Sequence, residues 1–240
     1  MDNPGYVTLS RQAGLAKDMR IIANNLANMS TDGFRREGAI FAEMVDRLNV
    51  VGGAVAETAA RARVTDFSQG VLTMTGGAFD LAIEGEGFFQ IETPAGPGLT
   101  RAGAFTRSAD GELMDHSGRR LLDEGGAPVF APADAREIAI ATDGTISADG
   151  QPIGRVGLVT VADRSALTRG EGGVFFSDEA PVPAEEAAIF QGFRENSNVN
   201  PVREIARMIE VQRAYEAGQN LLGAEDERIR QAIRVIGAAA

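Results

Sequence analysis

Hydrophobic residues follow a helical spacing near the start of the chain. Asn3 and Pro4 open this segment as a helix cap and a proline at the first helical position, where its missing N–H costs nothing. The hydrophobic residues beyond them alternate between spacings of four and three positions, which places them along one side of a helix. They are Leu15, Met19, Ile22, Leu26 and Met29. The pattern predicts an N-terminal helix that ends before Gly33, a residue suited to a left-handed backbone.

The same design recurs at the other end of the chain. Asn200 and Pro201 again provide a cap and a first-turn proline, and hydrophobic residues follow at heptad-like spacing. This second set comprises Met208, Val211, Tyr215, Leu222, Ile229 and Ile236. A helix from Pro201 to Ile236 would extend roughly 54 Å at about 1.5 Å per residue, which exceeds the diameter of a small domain. Such a helix is expected to lie on another surface.

The hydrophobic side of the N-terminal helix also needs a partner, because an isolated helix is only marginally stable. Full burial of its heptad residues would contribute about 8–15 kcal/mol as an upper estimate. The C-terminal helix of the same chain is the simpler partner. The length of that helix makes packing against other chains a competing interpretation, and periodicity does not distinguish the two.

Between residues 76 and 176, short apolar runs alternate with turn dipeptides. The strand candidates are residues 79–83, 88–91, 137–142 and 156–161, and the turn candidates are residues 110–111, 117–118, 143–144 and 149–150. Strands this short, separated by Asp-Gly and Ser-Gly turns, are typical of an antiparallel barrel or sandwich. The whole chain is therefore predicted to be α+β, with an all-β centre between two terminal helices.

The predicted domain organisation has four parts. They are an N-terminal helix within 1–38, an extended connector at 39–75, a β-rich central domain at 76–195 and a C-terminal helix within 196–240. The connector prediction comes from a glycine pair, an alanine-rich stretch and a run rich in Thr and Ser. The two helices are expected to pair as one helical domain.

The net charge of −11 is concentrated in the middle of the chain. Residues 39–200 hold 12 basic and 24 acidic side chains, whereas the two ends are nearly neutral. This acidity argues against binding to a nucleic-acid backbone, which needs clustered Lys and Arg. The absence of cysteine excludes disulfides, thiolate zinc sites and a cysteine nucleophile. Together with a single histidine, this composition predicts no metal and no cofactor.

No apolar run approaches the 18 or so residues of a membrane span, and the first twenty residues carry charges throughout. We therefore expect neither membrane insertion nor a cleaved secretion signal. Candidate catalytic groups are equally sparse. Glu84 and Glu86 lie two positions apart and could form a carboxylate pair, but the glycines between and after them favour an exposed turn. His116 is most simply a turn residue, and no catalytic residue is predicted.

Three stretches of sequence resemble the bacterial flagellar rod and hook proteins. The first is Ala-Asn-Asn-Leu-Ala-Asn at 23–28, followed by Ser-Thr-Asp-Gly-Phe-Arg at 30–35. The second is Asp-Leu-Ala-Ile-Glu-Gly-Glu-Gly-Phe-Phe at 80–89. The third joins Glu-Asn-Ser-Asn-Val-Asn-Pro at 195–201 to Ile-Glu-Val-Gln-Arg-Ala-Tyr at 209–215. They occur in the family's order and together cover both ends and much of the centre.

The resemblance implies a structural protein rather than an enzyme. Its terminal helices would form an inner domain and polymerise into the hollow rod that crosses the periplasm of the basal body. Its partners would be copies of itself, other rod proteins and the flagellar type III export apparatus, which uses no cleaved signal. The opening residues and short length are most similar to proximal rod proteins, with distal rod proteins as the alternative. A carbohydrate-active enzyme using Glu84 and Glu86 is a less favoured alternative.

The resemblance and the two hydrophobic patterns together indicate where assembly contacts would lie. The expected interface residues are Leu15, Met19, Ile22, Asn24, Asn25, Leu26, Asn28, Met208, Ile209, Val211, Tyr215 and Leu222. An adhesin-like β protein with helical oligomerisation ends would share the hydrophobic pattern, but it gives no reason for the paired asparagines.

Overall fold

A computed structural model describes residues 3–46 and 55–238, and the chain divides into two compact units. The helical unit comprises Met1–Ala27, Glu37–Asp66 and Asn200–Ala240, and the central unit comprises Asn28–Arg36 and Phe67–Val199. The chain thus contributes to each unit in more than one segment, because it enters and leaves the central unit more than once.

The helical unit contains two long helices and a β-hairpin. Helix α1 spans Asn3–Ala27 and helix α2 spans Pro201–Ala238, as the hydrophobic spacing predicts. The carboxamide oxygen of Asn200 accepts a hydrogen bond from the backbone N–H of Arg203 at 3.1 Å, so Asn200 is the cap that the sequence indicates. Helix α1 packs against α2 and also against the hairpin.

The hairpin lies in the segment predicted to be an extended connector. Its strands, β1 (Glu37–Asp46) and β2 (Val55–Thr65), pair antiparallel with a register shift between Ile40 and Phe41. The alanine-rich stretch of the sequence lies on β2, where pairing with β1 and packing against α1 outweigh the weak strand preference of alanine, and most of the run rich in Thr and Ser follows this strand.

The central unit is built of short strands. In chain order they are β3 (Leu72–Met74), β4 (Leu81–Glu84), β5 (Phe88–Thr93), β6 (Gly96–Thr100), β7 (Thr106–Arg107), β8 (Leu113–Met114), β9 (Ile138–Ile140), β10 (Thr145–Ala148), β11 (Gln151–Arg155), β12 (Leu158–Thr160), β13 (Thr168–Arg169), β14 (Val174–Phe176), β15 (Val182–Pro183), β16 (Ala188–Gln191) and β17 (Phe193–Glu195). Two short 3-10 helices, Arg164–Ala166 and Glu171–Gly173, lie on either side of β13.

Every pairing among the described strands is antiparallel, as predicted. The largest sheet has six strands in the order β13-β14-β6-β5-β12-β15, and the next has three in the order β11-β10-β9. Three further pairs are β16-β4, β17-β3 and β7-β8. The barrel alternative is wrong, because β13 and β15 form the two edges of the largest sheet and the described strands do not close it. Strands of two to six residues turn back before they can wrap around a barrel.

Two hydrophobic clusters fill the central unit, and β5 contributes to both. Phe89 and Ile91 lie in the larger cluster with residues such as Leu81, whereas Phe88 lies in the smaller one with Phe175. This division follows from the alternation of side chains along a strand, which sends neighbouring residues to opposite faces. The two adjacent phenylalanines of the sequence are therefore core residues of two different clusters.

Gly33, predicted to end the first helix with a left-handed backbone, has a φ of +67°. A Cβ atom at this position would lie 2.3 Å from the backbone carbonyl carbon of Arg101, so the close approach also requires glycine. Within the described residues, neither long helix contains a stretch apolar enough to cross a membrane.

Candidate assembly surface

Polar pairs join α1 to α2 at several points along the described part of the two helices. The side-chain amide of Gln12 donates to the backbone carbonyl of Tyr215 at 2.9 Å. Farther along α1, Asp18 pairs with Arg207 at 3.2 Å, and the Asn25 amide donates to the Glu204 carboxylate at 3.0 Å. The contacted positions on α2 fall in number as those on α1 rise, so the two helices run antiparallel.

Asn25 explains half of the paired-asparagine motif. Its side chain is fully buried and bonds to both backbone groups of Glu37: its amide donates to the carbonyl at 2.8 Å, and its oxygen accepts from the N–H at 2.9 Å. The side chain thereby provides hydrogen-bond partners for the backbone N–H and carbonyl of the first residue of β1, as a neighbouring strand would. Because the same amide reaches Glu204, Asn25 joins both helices to the hairpin. Asn24, its neighbour in the sequence, is exposed.

Among the side chains that the structure describes on the two helices, only a few hydrophobic ones are buried. They are Ile21, Ile22 and Val211, and sequence reasoning missed the first of these. The missed residue lies beside the heptad stripe, and α1 packs against both α2 and the hairpin. A helix with two partners buries a wider arc than a two-helix stripe covers. The pair of adjacent isoleucines in the sequence could have indicated that Ile21 is buried together with Ile22.

The residues expected to form an assembly interface divide into three groups. Ile22, Asn25 and Val211 are buried. The partly buried ones are Leu15, Met19, Leu26, Asn28, Met208, Tyr215 and Leu222, of which Asn28 belongs to the central unit. Asn24 and Ile209 are exposed. Most of the helical stripe is thus at least partly buried, whereas Ile209 faces solvent.

The opposite face of α2 carries hydrophobic residues that the heptad pattern did not include. Val202, Ile205 and Ile209 are 76%, 50% and 45% exposed, respectively. Their spacing of three and four positions places them on one side of the helix, which we call the outer ridge. The sequence contained this signal, but the stronger heptad pattern on the other side of the helix obscured it.

The last part of α2 extends past its contacts with α1. From residue 223 onward, every residue whose side chain the structure describes is exposed, except the partly buried Glu225. Ile229 and Ile233 are among the exposed ones. Two ion pairs within the helix, Glu225–Arg228 and Asp226–Arg230, each at 2.7 Å, support this end of α2 in solvent.

A groove of about 280 Å³ runs between α1 and α2. Its lining residues are Thr8, Arg11, Gln12, Ala214, Ala217, Gly218 and Leu221. The small residues of α2 form one wall of the groove, and a Cβ atom at Gly218 would lie 1.9 Å from the side-chain nitrogen of Gln12. Gly218, which weakens the hydrophobic pattern in the sequence, therefore makes room for the hydrogen bond of Gln12 to α2.

Inside the central unit, Glu195 joins segments that are far apart in the sequence. Its carboxylate pairs with Arg35 at 2.7 Å and with Arg101 at 3.1 Å, and it accepts the N–H of Gly70 at 2.7 Å. Its backbone carbonyl accepts the N–H of Gly33 at 2.7 Å. Burial lowers the pKa of Arg101 to about 10, with nearby Glu195 opposing the shift, so the guanidinium stays charged at neutral pH.

The asparagines that follow Glu195 each have a separate task. Asn196 donates to the hydroxyl of Thr73 at 3.0 Å. Asn198 accepts the N–H of Arg36 at 2.6 Å and donates to the carbonyl of Ser68 at 2.9 Å. Asn200 then caps α2. The asparagine-rich motif is therefore explained by contacts inside the chain, which join Asn196 and Asn198 to residues 28–36 and 67–75 within the central unit.

The carboxylates considered as catalytic candidates lie at the surface. Glu84 is exposed at the end of β4, and Glu86 pairs with Arg164 at 2.6 Å. His116 is exposed in a turn, next to the buried Asp115. Within the described residues, no group of three His, Asp or Glu side chains is placed to hold a metal ion.

Three family models match the chain in order. The flagella basal body rod protein model matches residues 6–35, the flagellar hook protein FlgE/F/G D1 domain model matches 82–148, and the flagellar basal body rod FlgEFG protein C-terminal model matches 191–235. These ranges include the first and third stretches that carry the sequence resemblance, and residues 82–89 of the second.

Curated relatives match over nearly the full length. The flagellar basal-body rod protein FlgF of Caulobacter vibrioides is 37% identical over 99% of both chains, and FlgF of Mesorhizobium japonicum is 35% identical over the same shares. The flagellar basal-body rod protein FlgG of Bacillus subtilis is 28% identical over 96% of this chain and 97% of the relative.

Proposed function

The chain belongs to the flagellar basal-body rod protein family, and from this premise we propose that it is a structural subunit of the proximal rod, assembled through its terminal helices. Relatives named FlgF are 33–37% identical to it, and those named FlgG are 28–31% identical. The difference favours the proximal rod, with the distal rod as the second candidate.

The observation that carries this proposal is the exposure of hydrophobic residues on α2. Val202, Ile205 and Ile209 face away from α1, and Ile229 and Ile233 lie beyond its reach. Large hydrophobic residues left exposed on two sides of a helix of 38 residues are typical of surface that other chains cover. A subunit of a helical assembly needs such surface on more than one side, because each copy contacts several neighbours.

The remaining parts of the proposal follow from this role. The partners are other rod subunits, copies of this chain and the flagellar export apparatus, and the location is the rod within the periplasm. The proposed subunit does no catalysis. Glu84 is exposed and Glu86 pairs with an arginine at the surface, as expected of residues in an exposed turn.

Deletion of the gene tests the role directly. The deletion strain should lose motility, and its basal bodies, viewed by electron microscopy, should end within the rod. Reintroduction of the full chain should restore both. Motile cells with complete rods after deletion would contradict the proposal. Normal proximal rods that lack only the distal section would favour the second candidate.

A paired set of variants tests the exposed end of α2. Ile229→Asp and Ile233→Asp should fail to restore motility, because each places a charge on hydrophobic surface that the assembly buries. Gln231→Asp adds the same charge at an exposed polar position of the same helix turn and should restore it. Equal motility of all three variants would show that this end of α2 makes no assembly contact.

A further inference from the structure

We propose that α2 of one copy packs parallel to α2 of a second copy, displaced by twelve residues along the helix axis. The outer ridge of one copy then occupies the groove side of the other. This contact rests on the proposed function, since it deepens the assembly role by naming the partner and the register.

The two surfaces lie on different faces of α2. At 3.6 residues per turn, the outer ridge lies roughly 140° around the helix from the side that faces α1, whereas Ala214, Ala217 and Leu221 lie roughly 90° from it. We call the second set the side groove, which forms the α2 wall of the groove between the helices. The ridge and the side groove of one copy point in different directions from the same helix, so they cannot contact each other. The contact therefore joins unlike surfaces of two copies and can repeat along an assembly.

The shapes of the two surfaces are complementary. The outer ridge presents β-branched side chains that protrude from the helix, whereas the side groove has two alanines and a leucine above an open volume of about 280 Å³. A displacement of twelve residues places Val202 against Ala214, Ile205 against Ala217 and Ile209 against Leu221. Ridges set into grooves are the usual basis of helix packing.

Charges farther along α2 select the same register. The ridge face continues with Arg213 and Glu216, and both side chains are exposed. The displacement of twelve residues places Arg213 beside Glu225 and Glu216 beside Arg228 of the second copy. Since Glu225 and Arg228 already pair with each other at 2.7 Å, the arriving charges would complete an alternating cluster of four.

Slipping the contact by about one helix turn removes this agreement. A displacement of eight residues places Val202 against Glu210 and Ile205 against Arg213. A displacement of sixteen residues places Ile209 against Glu225 and separates both charge pairs. Each slipped register presses hydrophobic side chains onto charged ones, which costs free energy through desolvation. The twelve-residue register corresponds to an axial shift of about 18 Å between copies.

The absence of cysteine in the natural chain makes a disulfide test clean. The variant Ile205→Cys/Ala217→Cys would be expressed as the only copy of the protein, and the cells would be treated with an oxidant. The chains of isolated basal bodies would then be separated by size in the absence of reductant. The two new thiols of one chain lie about 18 Å apart on one helix, too far for an internal disulfide. The expected result is a ladder of covalent multimers that reductant removes.

Matched variants define the contact. Ile205→Cys alone and Ala217→Cys alone should give no covalent multimers, because the contact joins unlike surfaces. Gln219→Cys/Gln231→Cys has the same separation, but Gln219 points roughly 70° away from the outer ridge and Gln231 roughly 70° away from the side groove, so it should give no ladder. In a second arm, Glu216→Arg added to the double-cysteine chain should abolish the ladder, and Arg228→Glu added to that chain should restore it.

The outcomes separate this contact from the proposed function. Motile cells with complete rods but no ladder would overturn the contact and leave the rod role standing. A covalent dimer from either single variant, or a cross-link to a chain of different mass, would also overturn it, because the ridge would then bind itself or another subunit. A parent chain without cysteine that builds no rod would overturn the proposed function and this contact with it.

Discussion

The central unit and the helical unit bury different kinds of side chain. The central unit has a mainly hydrophobic interior, with Phe89, Ile91 and Leu81 fully enclosed. Among the described residues of the helical unit, polar groups make up most of the buried set. They are Gln12, Asp18, Asn25, Glu37 and Glu204, beside Ile21, Ile22 and Val211. Meanwhile α2 exposes isoleucine and valine along its outer side.

The difference indicates how each unit is stabilised. Burial of hydrophobic surface contributes roughly 25 cal/mol per Å², whereas a buried hydrogen bond contributes only about 1 kcal/mol net. The central unit therefore gains its stability within one chain. The helical unit gains less from its own folding, uses polar contacts to fix which residues meet, and keeps hydrophobic surface that other chains can cover.

The largest expected effect is in the hydrophobic interior of the central unit. Phe89→Ala should lower the free energy of unfolding of this unit by about 3–5 kcal/mol, because it leaves a cavity between β5 and its neighbours. Phe130→Ala, at a half-exposed phenylalanine, is the control and should cost far less. Hydrogen exchange of the central strands measures both. Similar losses from the two variants would show that burial of Phe89 does not make it more important for stability than Phe130.

The next largest effect is expected at the buried charged cluster around Glu195 in the otherwise hydrophobic central unit. Glu195→Gln should cost about 3 kcal/mol, because Arg35 and Arg101 would stay buried without their common carboxylate. Glu92→Gln removes one carboxylate from an exposed pair with Arg120 and should cost far less, because solvent screens an exposed ion pair. Chemical denaturation followed by circular dichroism measures the two losses. A neutral Glu195→Gln would mean that the buried cluster adds nothing to the stability of the central unit.

Asn25→Ala addresses the polar interior of the helical unit. The variant should destabilise that unit by about 1–3 kcal/mol, because the backbone of Glu37 loses both of its bonds to the side chain. Asn24→Ala is the matched control at the exposed neighbouring position. Hydrogen exchange across α1 and β1 gives the readout, and exchange in the central strands should stay unchanged. Faster exchange in both units would contradict their separate stabilisation.

The smallest effect on stability is expected at the outer end of α2. Ile229→Asp should change the unfolding free energy of the single chain by less than about 0.5 kcal/mol, because the side chain is exposed. The same variant is expected to abolish rod assembly. Thermal unfolding of the purified variant beside the motility assay tests this separation. A large loss of stability in the single chain would show that Ile229 supports the chain's own fold.

Several elements followed directly from the order of residues. The two helices, the cap of α2 at Asn200, the left-handed turn at Gly33 and the antiparallel strands all depend on local rules of spacing, capping and turn formation. The family could also be identified from the sequence, because each of its motifs is a short continuous stretch of residues. Ile209 was predicted as an interface residue, but Val202 and Ile205 were missed. The heptad pattern describes only one side of α2, whereas this helix carries hydrophobic residues on two sides.

Tertiary structure alone decided which partners the polar residues find. The bonds of Asn25 to Glu204, and of Glu195 to Arg35, join residues separated by more than 150 positions, and no local pattern encodes them. The hairpin in the predicted connector depends likewise on packing against α1. Local spacing determined which elements form. The pairing of distant elements determined which hydrophobic residues are buried inside the chain and which remain on its surface, because burial depends on the neighbour as much as on the side chain.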